Sequence, residues 1–181
     1  VLGLLFDDWM EAHLYNAYVV AATLIIYGVL FIVLENSSIT ANPSITKVGH
    51  VSTKTALFIG LFQLLSLVPG TSRSGSTILG AMVLGCSRGV AAEFSFFLGI
   101  PVMFGASFLK LVKFFVKGNV LTGPQIFYTI LGMAIAFGVS VYSIQFLMGY
   151  VRRHDFKFFG YYRIILGVVV LAYFGITALA A

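Results

Sequence analysis

Long apolar runs without charge dominate the chain, and short polar stretches separate them. A membrane-spanning helix needs about 20 mostly apolar residues. Four runs meet this requirement: 17–34, 90–109, 126–148 and the stretch from 164 to the last residue, 181. The pattern therefore predicts four transmembrane helices, of which the second is unusual because it contains Glu93 and Pro101.

Two further apolar runs, 56–68 and 78–86, are too short to cross a bilayer. They flank the polar segment Pro-Gly-Thr-Ser-Arg-Ser-Gly-Ser-Thr at 69–77. Two short helices around a polar turn are typical of a re-entrant hairpin, whose irregular backbone is tolerated at membrane depth only when buried in protein or lining a water-filled cavity. We therefore predict a re-entrant hairpin over 56–86 with a cavity at its tip. The alternative is one kinked span over 56–84, which Pro69, Gly70 and Gly75 disfavour.

Composition points to the bilayer as the solvent. The chain is 60% hydrophobic and 9% charged, with a mean hydropathy of +1.02, whereas a soluble domain carries roughly a quarter charged residues. The predicted fold class is an all-α polytopic membrane protein, with residues 1–181 forming one integral membrane domain. Cys86 is the only cysteine; this excludes an intrachain disulfide, and we expect the thiol to pack.

Charged residues between the runs predict the orientation of the chain. One side receives Lys47, Lys54, Arg88, Arg152, Arg153 and Lys157. The other receives Lys110, Lys113 and Lys117, together with Asp7, Asp8 and Glu11. The positive-inside rule places the first side in the cytoplasm and the termini outside. No basic stripe interleaved with aromatic residues occurs, so nucleic acid is not an expected partner.

Residues 70–77 combine several groups that bind phosphate. Arg73 can hold phosphate oxygens in a fork, and an arginine within a membrane needs an anionic partner. Gly70 and Gly75 let the backbone approach a ligand, and a helix starting near Ser76 would direct its free N–H groups at the turn. The hydroxyls are Thr71, Ser72, Ser74, Ser76 and Thr77. Helix capping accounts for one or two of them but not five, so we predict a phosphate site.

Two polar residues outside the turn are candidates for supporting roles. Glu93 lies in an apolar run, where it could orient an arginine, hold a metal ion or transfer a proton. The alternative is a structural ion pair at the membrane edge, with Arg88 nearby in sequence. Gln63 is an uncharged polar group on the first hairpin arm that could bond across the hairpin or line the cavity.

Residues 69–77, followed by Ser-Arg-Gly-Val-Ala-Ala-Glu-Phe-Ser-Phe-Phe-Leu-Gly-Ile-Pro at 87–101, closely resemble the undecaprenyl-diphosphate phosphatase, or bacitracin-resistance, family. The resemblance covers essentially the whole chain. It implies a hydrolase of the bacterial inner membrane that converts undecaprenyl diphosphate to the monophosphate and recycles this carrier lipid for peptidoglycan synthesis. It also implies two inverted repeats, each with a re-entrant hairpin, and an active cavity that faces the extracytoplasmic side.

The resemblance further implies specific roles at the site. An essential arginine corresponds to Arg73, and phosphate-binding serines correspond to Ser72 and Ser74, so we expect these three residues to be catalytic. From the residue pattern itself, we expect Gly70, Thr71, Gly75, Ser76 and Thr77 to bind substrate. A divalent cation, Mg²⁺ or Ca²⁺, is expected as cofactor. The expected partners are a polyprenyl diphosphate lipid and membrane lipids, and a homodimer is left open.

The family's first motif, a glutamate-rich helix followed by a Pro-x-Ser-Ser-x-Thr-Gly-His turn, does not occur in this sequence. We expect it upstream of Val1, where the opening residues 1–6 read as the end of a hydrophobic helix. The metal ligands are expected there too, so this chain alone is expected to be inactive. The rival hypothesis is a transporter or lipid flippase that binds the same headgroup without cleaving it, because broken helices at mid-membrane are typical of transporters.

Overall fold

A computed structural model describes residues 13–151 and 153–180, with side chains through residue 178. These residues are helical and contain no strand, and four of the helices (α1, α5, α6 and α7) are long and apolar enough to cross a membrane. The chain is thus an all-α polytopic membrane protein, as predicted. The helices are α1 (Ala17–Glu35), α2 (Ser38–Ala41), α3 (Thr53–Leu64), α4 (Arg73–Val83), α5 (Arg88–Val116), α6 (Gly123–Val151) and α7 (Lys157–Ala180). The predictions that concern residues 1–6, Asp7, Asp8, Glu11 and Arg152 lie outside the described residues.

The last membrane helix differs from its predicted bounds. The sequence pattern placed its start at residue 164, after the charge of Arg163, but α7 begins at Lys157. The prediction was wrong because it took the charge of Arg163 as the boundary of the span. Arg163 is half-buried, and its Nη1 donates to the carbonyl oxygen of Thr71 at 3.1 Å. Protein contacts, rather than the membrane surface, therefore accommodate this charge.

Helices α1 and α7 pack antiparallel through small residues. A Cβ added to Gly28 would lie 2.7 Å from the carbonyl oxygen of Gly160, and one added to Gly167 would lie 2.9 Å from the carbonyl oxygen of Ala21. Small residues allow membrane helices to approach closely, which increases the van der Waals contact that holds them together. This helix pair forms the wall against which the hairpin rests.

Gly28→Ala is expected to destabilise the protein by about 1–3 kcal/mol, because the new methyl group would meet both Ile164 Cγ1 and the backbone carbonyl oxygen of Gly160, and the backbone cannot move aside. Thermal unfolding in detergent measures the effect. Gly132→Ala on α6 is the matched control, since nothing lies within 4 Å of a Cβ at that position. Equal melting temperatures for the two variants would contradict the tight contact between α1 and α7.

Helices α3 and α4 form the predicted hairpin. A Cβ on Gly80 of α4 would collide with the ring of Phe62 on α3, so the two arms lie in contact. The turn between them contains two residues with left-handed backbone, Gly70 at φ +89° and Ser72 at φ +64°. The single kinked span is therefore wrong.

The second arm begins earlier than the sequence indicated. The predicted helix start near Ser76 and the predicted arm over 78–86 are replaced by α4, which starts at Arg73. The physical reason is the Ser72 side chain, which accepts a hydrogen bond from the Gly75 N–H at 3.3 Å and caps the helix there. Most of the polar segment is thus the first turn of a helix rather than a loop.

The hairpin is anchored where α4 ends. The Ile45 N–H donates to the carbonyl oxygen of Gly85 at 2.9 Å, and the Ser87 N–H donates to the carbonyl oxygen of Ile45 at 2.8 Å. Cys86 between them is 3% exposed, which confirms that it packs.

Several helix ends meet at one end of the bundle, which we call the base. Glu35 at the end of α1 contacts Arg88 at the start of α5 and Phe156 just before α7. The turn between α3 and α4 lies farther along α1, since Thr23 donates to the Pro69 carbonyl oxygen at 2.8 Å. Thr23 and Glu35 are separated by about 18 Å of helix. The hairpin tip is therefore roughly half a bilayer thickness or more from the base.

Candidate anion-binding site

The turn at the hairpin tip is held rigidly against its surroundings. Thr71 is 3% exposed, and its Oγ1 lies 2.7 Å from the carbonyl oxygen of Val68. Gly70 packs so closely on α1 that a Cβ there would collide with Thr23. Glycine is required at this position by both its left-handed backbone and this contact. The turn is thus fixed before any ligand binds.

Two predicted catalytic serines lie at the N-terminus of α4. Ser72 and Ser74 are both exposed, and their hydroxyl oxygens are 3.4 Å apart. The first N–H groups of a helix have no acceptor within the helix, and together with the helix dipole they attract anions. The two hydroxyls therefore stand beside a backbone that itself favours negative charge.

Arg163 of α7 reaches this same helix terminus. Besides its bond to Thr71, its Nη2 lies 3.1 Å from the position of a Cβ on Gly75, so the absence of a side chain at Gly75 makes room for the guanidinium. The carbon Cζ lies 5.9 Å from the centre of the Phe31 ring. A guanidinium placed against the positive end of a helix is electrostatically unfavourable without an anion. This arrangement is electrostatically suited to an anion.

A cavity of about 140 Å³ opens beside these groups. Its polar lining comes from Ser72, Ser74, Ser95 and Arg163, and the remainder is Gly75 and apolar side chains of α1, α4, α5, α6 and the start of α7. None of these lining residues is acidic. The cavity therefore offers hydroxyls and a positive charge in apolar surroundings, where charge interactions are strong.

Arg73 is the first residue of α4, and its guanidinium lies against α5. It is half-buried, and its Nη2 lies 3.0 Å from the position of a Cβ on Gly99 in α5. Arg73 is not among the residues that line the 140 Å³ cavity. The hairpin tip thus has two arginines, one beside α5 and one supplied by α7.

Like Thr71, two other predicted substrate-binding residues have buried side chains. Ser76 is fully buried, and its Oγ donates to the Tyr27 hydroxyl at 3.1 Å. Thr77 is 1% exposed, and its Oγ1 is 2.5 Å from the Ser95 hydroxyl. Both hydroxyls fasten α4 to neighbouring helices, and neither residue lines the cavity.

The predicted supporting residues lie away from the cavity. Glu93 lines a separate polar pocket of about 540 Å³ with Lys47 and Arg88. Arg88 forms its ion pair with Glu35, so the structure does not show the alternative that paired Glu93 with Arg88. Gln63 is half-buried on α3, and its backbone carbonyl accepts from Ser66. Neither Glu93 nor Gln63 lines the 140 Å³ cavity.

Arg163 is the functional candidate that sequence reasoning missed. Its signal was present, since it is a lone arginine in an otherwise apolar helix, a pattern that usually marks function or pairing. Because it was taken as the boundary of the last span, its partner was not sought. The contact between residues 71 and 163 is not visible from local sequence.

The hairpin tip does not fit a divalent cation by itself. Mg²⁺ and Ca²⁺ prefer carboxylate and carbonyl oxygens, whereas the tip supplies arginines and hydroxyls. Within residues 13–151 and 153–180, no three His, Cys, Asp or Glu side chains come together as a metal site. The described residues are suited to an anion rather than to its counter-ion.

Comparison with known proteins identifies the family. The family profile described as "Bacitracin resistance protein BacA" matches residues 1–169. The chain belongs to this family. Among curated relatives, the "Undecaprenyl-diphosphatase" of Streptococcus mutans serotype c is 56% identical over 96% of the chain and 62% of the relative. That of Lactobacillus delbrueckii subsp. bulgaricus is 58% identical over 94% of the chain and 62% of the relative.

A third curated relative gives a similar match. The "Undecaprenyl-diphosphatase" of Acetivibrio thermocellus is 55% identical over 96% of this chain and 63% of its own length. The chain therefore spans about three-fifths of the length of the curated BacA-family relatives that it matches. The described residues of the candidate site fall within the matched region, 1–169.

Proposed function

We propose that the full-length protein hydrolyses undecaprenyl diphosphate to undecaprenyl phosphate and inorganic phosphate, and so recycles the carrier lipid for cell-wall synthesis. The observation that carries this proposal is the convergence of Arg163, Ser72 and Ser74 on the N-terminus of α4, around a cavity with no acidic lining residue. Such a site suits a phosphate group. The names of the relatives indicate a diphosphate lipid as the ligand.

In this proposal the described residues bind the diphosphate and stabilise its charge. Arg73 and Arg163 contact phosphate oxygens, and Ser72 and Ser74 donate hydrogen bonds. Water attacks the terminal phosphorus, the bond to the bridging oxygen breaks, and the lipid monophosphate leaves with that oxygen. Charge on the phosphoryl oxygens is stabilised by donors that are already in place. Since the tip has no metal ligands, Mg²⁺ or Ca²⁺ would need residues beyond those described, as would activation of the water.

We further propose a location in the bacterial inner membrane with the hairpin re-entrant and the cavity open to the extracytoplasmic side. Lys47, Lys54, Arg88, Arg153 and Lys157 all lie at or near the base, and the positive-inside rule favours placing that end in the cytoplasm. The depth of the tip, about 18 Å of helix from the base, supports a site within the bilayer. A substrate with its lipid tail in the membrane could then present its headgroup at the tip.

Phosphate release from undecaprenyl diphosphate in detergent tests the proposal. We expect the full-length protein to release one phosphate per lipid and to leave undecaprenyl phosphate, offered as the control substrate, intact. Transfer of the diphosphate lipid between leaflets of vesicles without phosphate release would instead support the flippase. No release from the diphosphate, in a preparation shown to be folded, would contradict the proposed activity.

A further inference from the structure

Glu35 and Arg88 form an ion pair at the base that local electrostatics does not favour. Glu35 is the last residue of α1 and Arg88 is the first residue of α5. A carboxylate at a helix C-terminus and a cation at a helix N-terminus both oppose the helix dipole. The Glu35 side chain is nonetheless fully buried, with Arg88 Nε 3.0 Å and 2.9 Å from its two oxygens.

Glu35 makes a further bond that concerns α7. Its Oε1 accepts from the backbone N–H of Phe156 at 2.8 Å. The Phe156 carbonyl oxygen accepts from the Gly160 N–H at 3.1 Å, the first hydrogen bond of α7. The carboxylate, held in place by Arg88, therefore satisfies a donor at the exact start of the helix that carries Arg163.

A continuous path of contacts joins this bond to the candidate site. Phe156 and Arg163 are about two helical turns apart and so lie on one face of α7. The Phe156 ring is 5.7 Å from the Phe31 ring, and Arg163 lies over that same Phe31 ring. One rotation of α7 about its axis therefore serves both contacts. It brings the Phe156 N–H to Glu35, and it brings the Arg163 side chain to the hairpin turn.

We propose that Glu35 is a positioning residue: with Arg88 it fixes the start and rotation of α7, so that Arg163 faces the turn between α3 and α4. The inference rests on the proposed function in so far as Arg163 binds the diphosphate. Buried ion pairs contribute little net stability when compared with apolar replacements. Stability therefore gives little reason for this ion pair, whereas positioning of α7 gives it a role.

A double-mutant cycle in the full-length protein tests this role, with the dissociation constant of inorganic diphosphate and the rate of phosphate release as readouts. Glu35→Ala is expected to weaken diphosphate binding about tenfold when Arg163 is present, and less than about threefold when Arg163→Gln is also present. The effect of Glu35→Ala is smaller in the double variant because a displacement of α7 does not change diphosphate binding once Arg163 has been replaced. Glu35→Gln is expected to recover part of the loss, since its amide oxygen can still accept from Phe156.

Ile59→Ala is the control for a purely structural effect. Ile59 is fully buried on α3, so its truncation lowers stability without touching α7, and it should weaken binding by the same factor in both backgrounds. If Glu35→Ala does not fold, Arg88→Lys replaces it, because the lysine keeps the charge and loses the fork.

The outcomes separate the two proposals. An equal factor for Glu35→Ala in both backgrounds would overturn positioning. Diphosphate binding without phosphate release would overturn the proposed hydrolysis and leave the positioning result valid. No binding of inorganic diphosphate by the parent protein would overturn positioning, and phosphate release from the lipid diphosphate would then decide the proposed hydrolysis by itself.

Discussion

Arg73→Ala is expected to lower kcat for phosphate release by about 10²–10³-fold, the loss typical of removing one preorganised donor from a developing oxyanion. Arg73 is held at the first residue of α4, with its guanidinium against Gly99 of α5. Its position is therefore set before substrate binds. Arg73→Lys should restore little of the activity, because an ammonium group cannot reproduce the two-pronged contact with phosphate oxygens.

The control for Arg73 is another arginine. Arg153 is exposed near the base, and Arg153→Ala removes the same charge far from the hairpin tip, so activity should stay close to that of the parent. Gly99→Ala gives a graded test, since its Cβ would lie 3.0 Å from Arg73 Nη2 and would displace the guanidinium slightly. Near-normal kcat in folded Arg73→Ala would remove Arg73 from the mechanism.

Arg163→Gln is expected to lower kcat/KM by about 10²-fold. This arginine brings a positive charge to the N-terminus of α4 through its bond to the Thr71 carbonyl oxygen. The glutamine can still donate a hydrogen bond, but it lacks the charge and the reach. Steady-state kinetics with the diphosphate lipid measure the effect, and Arg153→Gln is the control of equal charge change.

Gly75→Ala separates the position of Arg163 from its charge. The added Cβ would lie 3.1 Å from Arg163 Nη2, and a flexible guanidinium can shift by a few tenths of an ångström to accommodate it. We expect kcat/KM to fall several-fold, which is much less than for Arg163→Gln, since small misplacements of binding groups reduce rates. Wild-type kinetics in Arg163→Gln would show that α7 supplies no part of the site.

The sequence could predict most of the fold because the relevant signals are local. The apolar runs at 17–34, 90–109 and 126–148 all lie within observed helices, since the cost of exposing polar backbone to lipid permits few alternatives. The hairpin also followed from local signals, namely two short apolar runs and a turn rich in glycine. The start of α4 was predicted too late, because the sequence does not distinguish a serine that caps a helix from a serine that binds a ligand.

The contacts between segments that are distant in sequence could not be predicted from local signals. The sequence left open an ion pair between Arg88 and its neighbour in sequence, Glu93, whereas the structure pairs Arg88 with Glu35 across 53 positions. Arg163 was taken as the boundary of the last span for a related reason, since its contact with Thr71 spans 92 positions. Charges in a membrane protein need partners, but the sequence does not say which.

We propose above all that the turn and the first helical residues of α4 bind the diphosphate headgroup together with Arg163. An experimental structure of the full-length protein with a non-hydrolysable methylene-diphosphonate of a polyprenyl lipid tests it most directly. We predict phosphonate oxygens within hydrogen-bonding distance of Arg73, Arg163 and the hydroxyls of Ser72 and Ser74. A headgroup bound elsewhere, for example in the polar pocket lined by Lys47, Arg88 and Glu93, would contradict it.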